Sequence, residues 1–392
     1  MPWDLGPIGG VNAVVANLYE RFAFHGELQP ALLVTSWTHT KPVRKADGGY
    51  DKTFLRIRGP LERGNMLRSL AAYLLFLPGE LRKAARLIRE LDAAVVNPHY
   101  PSLAMLTVAI ARRLGLHRAR LVLSLHGTDI RQAASGSALS RFFWRRLLRE
   151  ADAIVAVSHG LAKEAIAFDP GSRSKVVVVH NGLDTEAFTA QARMPSAVPP
   201  SLTSRRFLLT VGAFEHKKGQ DVLLHAFVRL ARTHEDLDLV LIGQAGPATQ
   251  ETQSLIDSLG LAPRCHVVEN APREVVASYM KAASLFVLPS RLEAFGLVLL
   301  EAGAFGLPVV ATRVGGIPEI IAGPEYGVLV EPDDPEALER ALEDLLQHAE
   351  KARAMGENLR QRVGSVFSWE AAYQGYRATI ERMDPPSGEA CS

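Results

Sequence analysis

Short apolar runs alternate with longer stretches of helical spacing along almost the whole chain. Apolar runs bounded by turn formers read as buried strands, and their alternation with helices predicts parallel sheets covered on both faces. In the first half, strands are expected near residues 31–36, 53–58, 93–97, 120–125, 152–157 and 175–180. The pattern lapses over 185–205, where Ala190 to Pro200 reads as a linker. A second series starts at Phe207-Leu208-Leu209-Thr210-Val211-Gly212 and continues past Val330. A chain of 392 residues is long for one core and comfortable for two. The expected fold is therefore α/β, with two doubly wound domains: 1–185 and 206–365, a linker at 186–205, and a last helix and tail at 366–392. Two such domains facing each other would make a cleft, the usual place for a ligand.

One segment carries most of the chemistry. Ala282 to Leu288 is a short apolar run ending at Pro289, and after it come Glu293-Ala294-Phe295-Gly296-Leu297 and an apolar helix that contains Glu301. Open α/β sheets bind ligands beyond the carboxyl ends of their strands. Phe295, Gly296 and Leu297 fall at the helix start, where unpaired backbone N–H groups and the dipole favour a diphosphate. Carboxylates accept hydrogen bonds from sugar hydroxyls and repel phosphate, so Glu293 and Glu301 are expected to flank the diphosphate. In the first half, Leu121 to Leu125 is an apolar run followed by His126-Gly127-Thr128-Asp129. That places His126 at a ligand edge. Asp129 can either orient His126 or cap the next helix. Ser158 is expected to cap a helix.

The segment Glu293 to Glu301 resembles the E-x7-E motif of the retaining glycosyltransferases of family 4, which have the GT-B fold. The surrounding text agrees: Gly306-Leu307-Pro308-Val309-Val310, Val314-Gly315-Gly316-Ile317-Pro318-Glu319 and Gly327-Val328-Leu329-Val330. The resemblance runs from Gly9 to the last helix, which in the family crosses back to the first domain. It implies that Glu301 takes ribose hydroxyls, Glu293 takes sugar hydroxyls, and His126 stands at the transferred sugar. Gly9-Gly10 resembles the glycine loop that meets the donor diphosphate. Lys218, in Val211 to Gly219, matches the lysine that neutralises the leaving group. The arginine that usually accompanies it is replaced by Ala213, and whether Lys217 substitutes for it from a different direction is left open by the sequence. Gly243 is expected near the nucleotide, and Arg273 in the loop that commonly meets the base. The family reaction retains anomeric configuration, needs no metal and uses a nucleoside diphosphate sugar as co-substrate without a cofactor.

The resemblance also implies an apolar strand upstream of Gly9, yet residues 1–8 hold two prolines and no strand pattern. The first domain is thus expected to lack its first strand, as though the start were assigned too far downstream or the chain shortened.

Charge adds a partner to consider. Residues 1–200 hold 26 Lys and Arg against 16 Asp and Glu, whereas 201–392 hold 18 against 26. The basic helical stretches Arg82 to Arg89 and Arg141 to Arg149 fit solvated helix faces, or contact with an anionic membrane. Nucleic acid is not expected, since the charge is spread over helices without a recognised binding motif. Cys265 and Cys391 are too few for a disulfide framework, which points to a cytoplasmic protein, with the inner face of the plasma membrane as its peripheral station. The resemblance places the reaction in polysaccharide or glycoconjugate biosynthesis, with a saccharide or lipid-linked acceptor. Three other readings share parts of the pattern: a glycosidase using the two acids, a nucleotide-sugar epimerase, and a noncatalytic nucleotide-sugar-binding protein. The lysine and glycine loops argue against hydrolysis.

Overall fold

The computed structural model describes residues 10–47, 49–61, 65–192 and 197–383. Residues 1–9, with Gly9 and the segment expected to lack a strand, lie outside them, as does Cys391. The chain forms two compact units: Met1–His180 with Ala372–Ser392, and Asn181–Ala371. Each is Rossmann-like.

In the first unit, the strands Val95–Val96, Arg120–Leu125, Ala153–Ala156 and Val176–Val178 form a parallel sheet in that order. Leu121, Val122, Leu123 and Leu125 are fully buried, as a central strand covered on both faces requires. A single bridge pairs His99 with Ser124, which carries the chain beyond Val96 alongside the central strand. A second, three-stranded sheet has Tyr50–Leu55 in the middle, parallel to Leu32–Thr35 and antiparallel to Val43–Asp47. Among the described residues this edge strand alone departs from the expected parallel pairing. Val43-Arg44-Lys45-Ala46-Asp47 is an edge strand whose charged residues hide it from a search for apolar runs. The strand expected at 53–58 is the central one at 50–55.

In the second unit, six parallel strands are ordered Cys265–Glu269, Leu237–Gly243, Arg206–Val211, Leu285–Leu288, Val309–Thr312, Val328–Val330. This is the 3-2-1-4-5-6 order of a doubly wound sheet, and the direction of winding reverses between Arg206–Val211 and Leu285–Leu288. The loops after these two strands, 212–219 and 289–296, therefore leave the sheet side by side. The start of the stretch read as a linker is ordered: Thr185–Thr189 is helical, and Phe188 is buried against the Phe305 ring, with centroids 5.8 Å apart. Helix Pro200–Thr203 follows.

Candidate functional site

The second unit places its ligand-binding candidates at the reversal point. Arg291 and Leu292 both donate backbone N–H to the carbonyl of Lys217, at 2.8 and 3.2 Å, stitching the two loops together. Gly315 fits under this joint with φ +54°, and a β-carbon there would fall inside the Glu293 carbonyl. Helix Leu297–Ala304 then begins behind Gly296, whose φ of 99° suits a residue without a side chain. Leu299 and Leu300 are fully buried and fix the helix on the sheet. Phe295 is buried edge-on to the Phe367 ring, which turns its side chain into the core.

Both acids of the motif have a cationic neighbour. Lys218 Nζ lies 2.6 Å from Glu293 Oε2, with both side chains mostly shielded. Arg273 Nη2 lies 3.2 Å from Glu301 Oε1, and its guanidinium stacks 4.8 Å over the Phe188 ring. Arg273 Nε is buried without a hydrogen-bond partner. Burial raises the Glu301 carboxyl above the ordinary carboxylate range, although Arg273 opposes the rise. Lys217 turns away from these groups to Glu215, 2.5 Å off. Arg291 is committed to Asp221 and Asp333, at 2.8 and 2.6 Å. Neither replaces the cation lost at Ala213. Gly243 ends its strand against Gly212, whose carbonyl a β-carbon would strike, so the first thing its bareness permits is close packing of two loops.

In the first unit, His126 leaves the carboxyl end of Arg120–Leu125 as read from the sequence. Asp129 both holds the loop and belongs to the following helix, Thr128–Ser135. Its carboxylate accepts from the backbone N–H of His126, Gly127 and Ile130 at 2.9, 2.9 and 2.8 Å. It thus orients the His126 backbone, not the ring. Its own burial nonetheless pushes its carboxyl up. Gly10 opens helix Gly10–His25 and is exposed. Ser158 caps its helix by accepting from Leu161 N–H at 3.0 Å.

The ring of His126 belongs to a relay not found from the sequence. Tyr376 hydroxyl donates to Ser124 Oγ at 3.0 Å, and Ser124 donates to Asn97 Oδ1 at 2.8 Å. This orients the Asn97 amide so that its NH2 faces His99 Nε2 at 3.3 Å. His99 Nε2 must then accept, which leaves its proton on Nδ1, 3.1 Å from His126 Nε2. His126 in turn accepts on Nε2 and carries its own proton on Nδ1. Burial pushes His126 down to about 4 and His99 well below the ordinary histidine value, so both rings are neutral at neutral pH. A local signal exists: Asn97 ends an expected strand and His99 lies just beyond it, as His126 lies just beyond its own.

Comparison with known proteins bears on family and fold. Residues 8–187 match the family Glycosyltransferase Family 4, and residues 196–362 match Glycosyl transferases group 1. The GDP-mannose-dependent alpha-(1-6)-phosphatidylinositol monomannoside mannosyltransferase of Mycolicibacterium smegmatis is 30% identical over 76% of this chain and 79% of its own length. The D-inositol 3-phosphate glycosyltransferase 1 of Catenulispora acidiphila is 29% identical over 96% of this chain and 92% of its own. Among solved structures, Anabaena Alr3699/HepE in complex with UDP-glucose superposes with a TM-score of 0.74 over 96% of this chain and 97% of its own. At 20% identity it speaks for the fold alone.

Proposed function

Because this chain belongs to the glycosyltransferases of family 4, with the group 1 region in its second unit, we propose that it transfers a sugar from a nucleoside diphosphate sugar to a saccharide or glycolipid acceptor, retaining anomeric configuration. The observation that carries this reading is the pair of shielded acids on either side of one helix start, at the point where the sheet reverses direction. Glu301 takes the ribose hydroxyls, and Arg273, beside it, borders the base. The amides of Phe295 to Leu297 and the amine of Lys218 take the diphosphate. Glu293 takes hydroxyls of the sugar. In this reading the first unit contributes Gly10 as backbone for the donor and His126 for the reacting carbon. Rate comes from stabilising the departing diphosphate and the cationic sugar. Lys218 and the helix start meet the phosphate charge in this reading, so it calls for no metal and no further cofactor. The cytoplasm is its proposed setting. Relatives named for GDP-mannose and inositol 3-phosphate support a nucleotide-sugar donor and a polyol or glycolipid acceptor.

Glu301→Gln tests the donor half. The raised carboxyl means that the folded state holds the Glu301 proton more tightly than the unfolded chain does. Its ionisation therefore opposes folding: stability is greatest below the unfolded value and falls as pH rises through the folded one. Glutamine removes that penalty. The variant is expected to melt at the same or a higher temperature than the parent at neutral pH, with a flatter dependence on pH. Its affinity for nucleoside diphosphates should fall by about tenfold to a hundredfold, the worth of charged hydrogen bonds to ribose. Thermal shift with a panel of nucleoside diphosphates reads both effects. Undiminished binding would remove Glu301 from the site.

A further inference from the structure

The long helix Met66–Glu90 is amphipathic in an unusual way. Its second half buries Leu81, Ala84, Ala85, Leu87 and Ile88, as a helix packed on a domain should. Its first half exposes apolar side chains: Leu67 is 72%, Leu74 60% and Leu75 75% accessible. Residues 67, 71, 74 and 78 recur at the spacing of one helix face, and all four are exposed. Arg82 and Arg89, also exposed, continue that stripe. One face is thus apolar for three turns and basic thereafter.

Helix Ala138–Glu150 adjoins it: Ser137 hydroxyl lies 3.5 Å from Met66 Sδ. This second helix exposes Phe142 at 61%. A groove of about 590 Å3 lies nearby, lined by Tyr73, Leu106 and Phe143 together with Arg113, Arg141 and Arg146. The two helices carry nine Lys and Arg against three Glu, and Glu80 among these is closed off by Lys83 at 2.7 Å. Among the described residues no helix is long and apolar enough to cross a membrane.

We propose that this face is a docking surface for an anionic lipid bilayer. Leu67, Leu74, Leu75 and Phe142 enter the headgroup boundary, and Arg82, Arg89 and Arg141 pair with lipid phosphates, while Arg86, Arg146 and Arg149 are held by Glu90, Glu150 and Asp169. Charge complementarity selects this occupant: a second copy would bring arginines against arginines, whereas an anionic surface neutralises them. The inference stands apart from the donor site, since none of these residues belongs to it.

Co-sedimentation of the full chain with vesicles decides the matter. Binding is expected to phosphatidylcholine mixed with phosphatidylglycerol, to weaken as salt is added, and to be slight with phosphatidylcholine alone. Replacing Leu74 and Leu75 together by glutamate should lower binding at least tenfold, in proportion to the apolar surface no longer buried. Arg82→Gln and Arg89→Gln should each cost about fivefold. All these positions are exposed, so circular dichroism melts should match the parent. The proposal is overturned if the protein ignores the mixed vesicles, or binds both kinds equally. It is also overturned if the leucine pair abolishes self-association measured without lipid, which would assign the face to a second copy. Vesicle binding involves no nucleotide, so failure here leaves the transferase reading untouched.

Discussion

His126→Ala is expected to lower acceptor-dependent release of nucleoside diphosphate by roughly a hundredfold to a thousandfold, the scale of losing one preorganised polar group at a reacting centre. Donor affinity should stay nearly unchanged, because the side chains proposed to hold the donor, Lys218, Glu293 and Glu301, all belong to the second unit. The form of the histidine matters as much as its presence. Its ring is neutral, with its proton directed to Nδ1 by the chain from Tyr376 through Ser124, Asn97 and His99. With ionisation held to about 4, this group places no limb in the pH–rate profile near the ordinary value of 6.5. His99→Ala removes the donor that selects the tautomer, and turnover falls by less than in His126→Ala with the same split between rate and affinity. The readout is release of nucleoside diphosphate together with label appearing on the acceptor. Sugar isomerised without any acceptor would instead indicate an epimerase, and unchanged turnover in His126→Ala would remove the histidine from the chemistry.

Lys218→Ala should be costlier to donor binding than loss of a single cation suggests. The amine contributes a charge-assisted bond to phosphate, worth about 1.5 to 3 kcal/mol, and it also masks Glu293 at 2.6 Å. Removing it leaves a shielded carboxylate facing an incoming dianion, with Lys217 and Arg291 committed elsewhere. Affinity for nucleoside diphosphate is therefore expected to drop by more than a hundredfold, the upper end of that range. The double variant Lys218→Ala, Glu293→Gln should recover part of the loss, because it removes the exposed charge as well. Calorimetric titration of the four proteins closes this cycle. Strict additivity of the two substitutions would mean that the pair does not act together on the ligand.

How much of this was readable follows from how each feature is encoded. A buried parallel strand announces itself as an apolar run, and proline or glycine after it marks the loop, so the strands before His126 and Glu293 could be located from local sequence. The strand at 43–47 could not, because an edge strand needs apolar residues on neither face and this one carries three charges. Which loops meet depends on strand order. Lys218 and Glu293 stand 75 positions apart and pair only because the sheet reverses direction between their strands. Arg273 reaches Glu301 from the first position of helix Arg273–Ala282, which follows a third strand. The relay behind His126 draws on Tyr376, which is 252 residues from the serine it contacts, a juxtaposition no local pattern contains. Asn97 and His99 are different: Asn97 ends an expected strand and His99 lies just beyond it, a position readable from local sequence although no family motif marks them.

The most direct measurement is a crystal structure of the protein with UDP-glucose or GDP-mannose, whichever gives the larger thermal shift. The account predicts the diphosphate on the backbone amides of Phe295 to Leu297 and on Lys218, with the ribose hydroxyls on Glu301 and the sugar against Glu293. A diphosphate bound away from the start of helix Leu297–Ala304, or a ribose out of reach of Glu301, would contradict it.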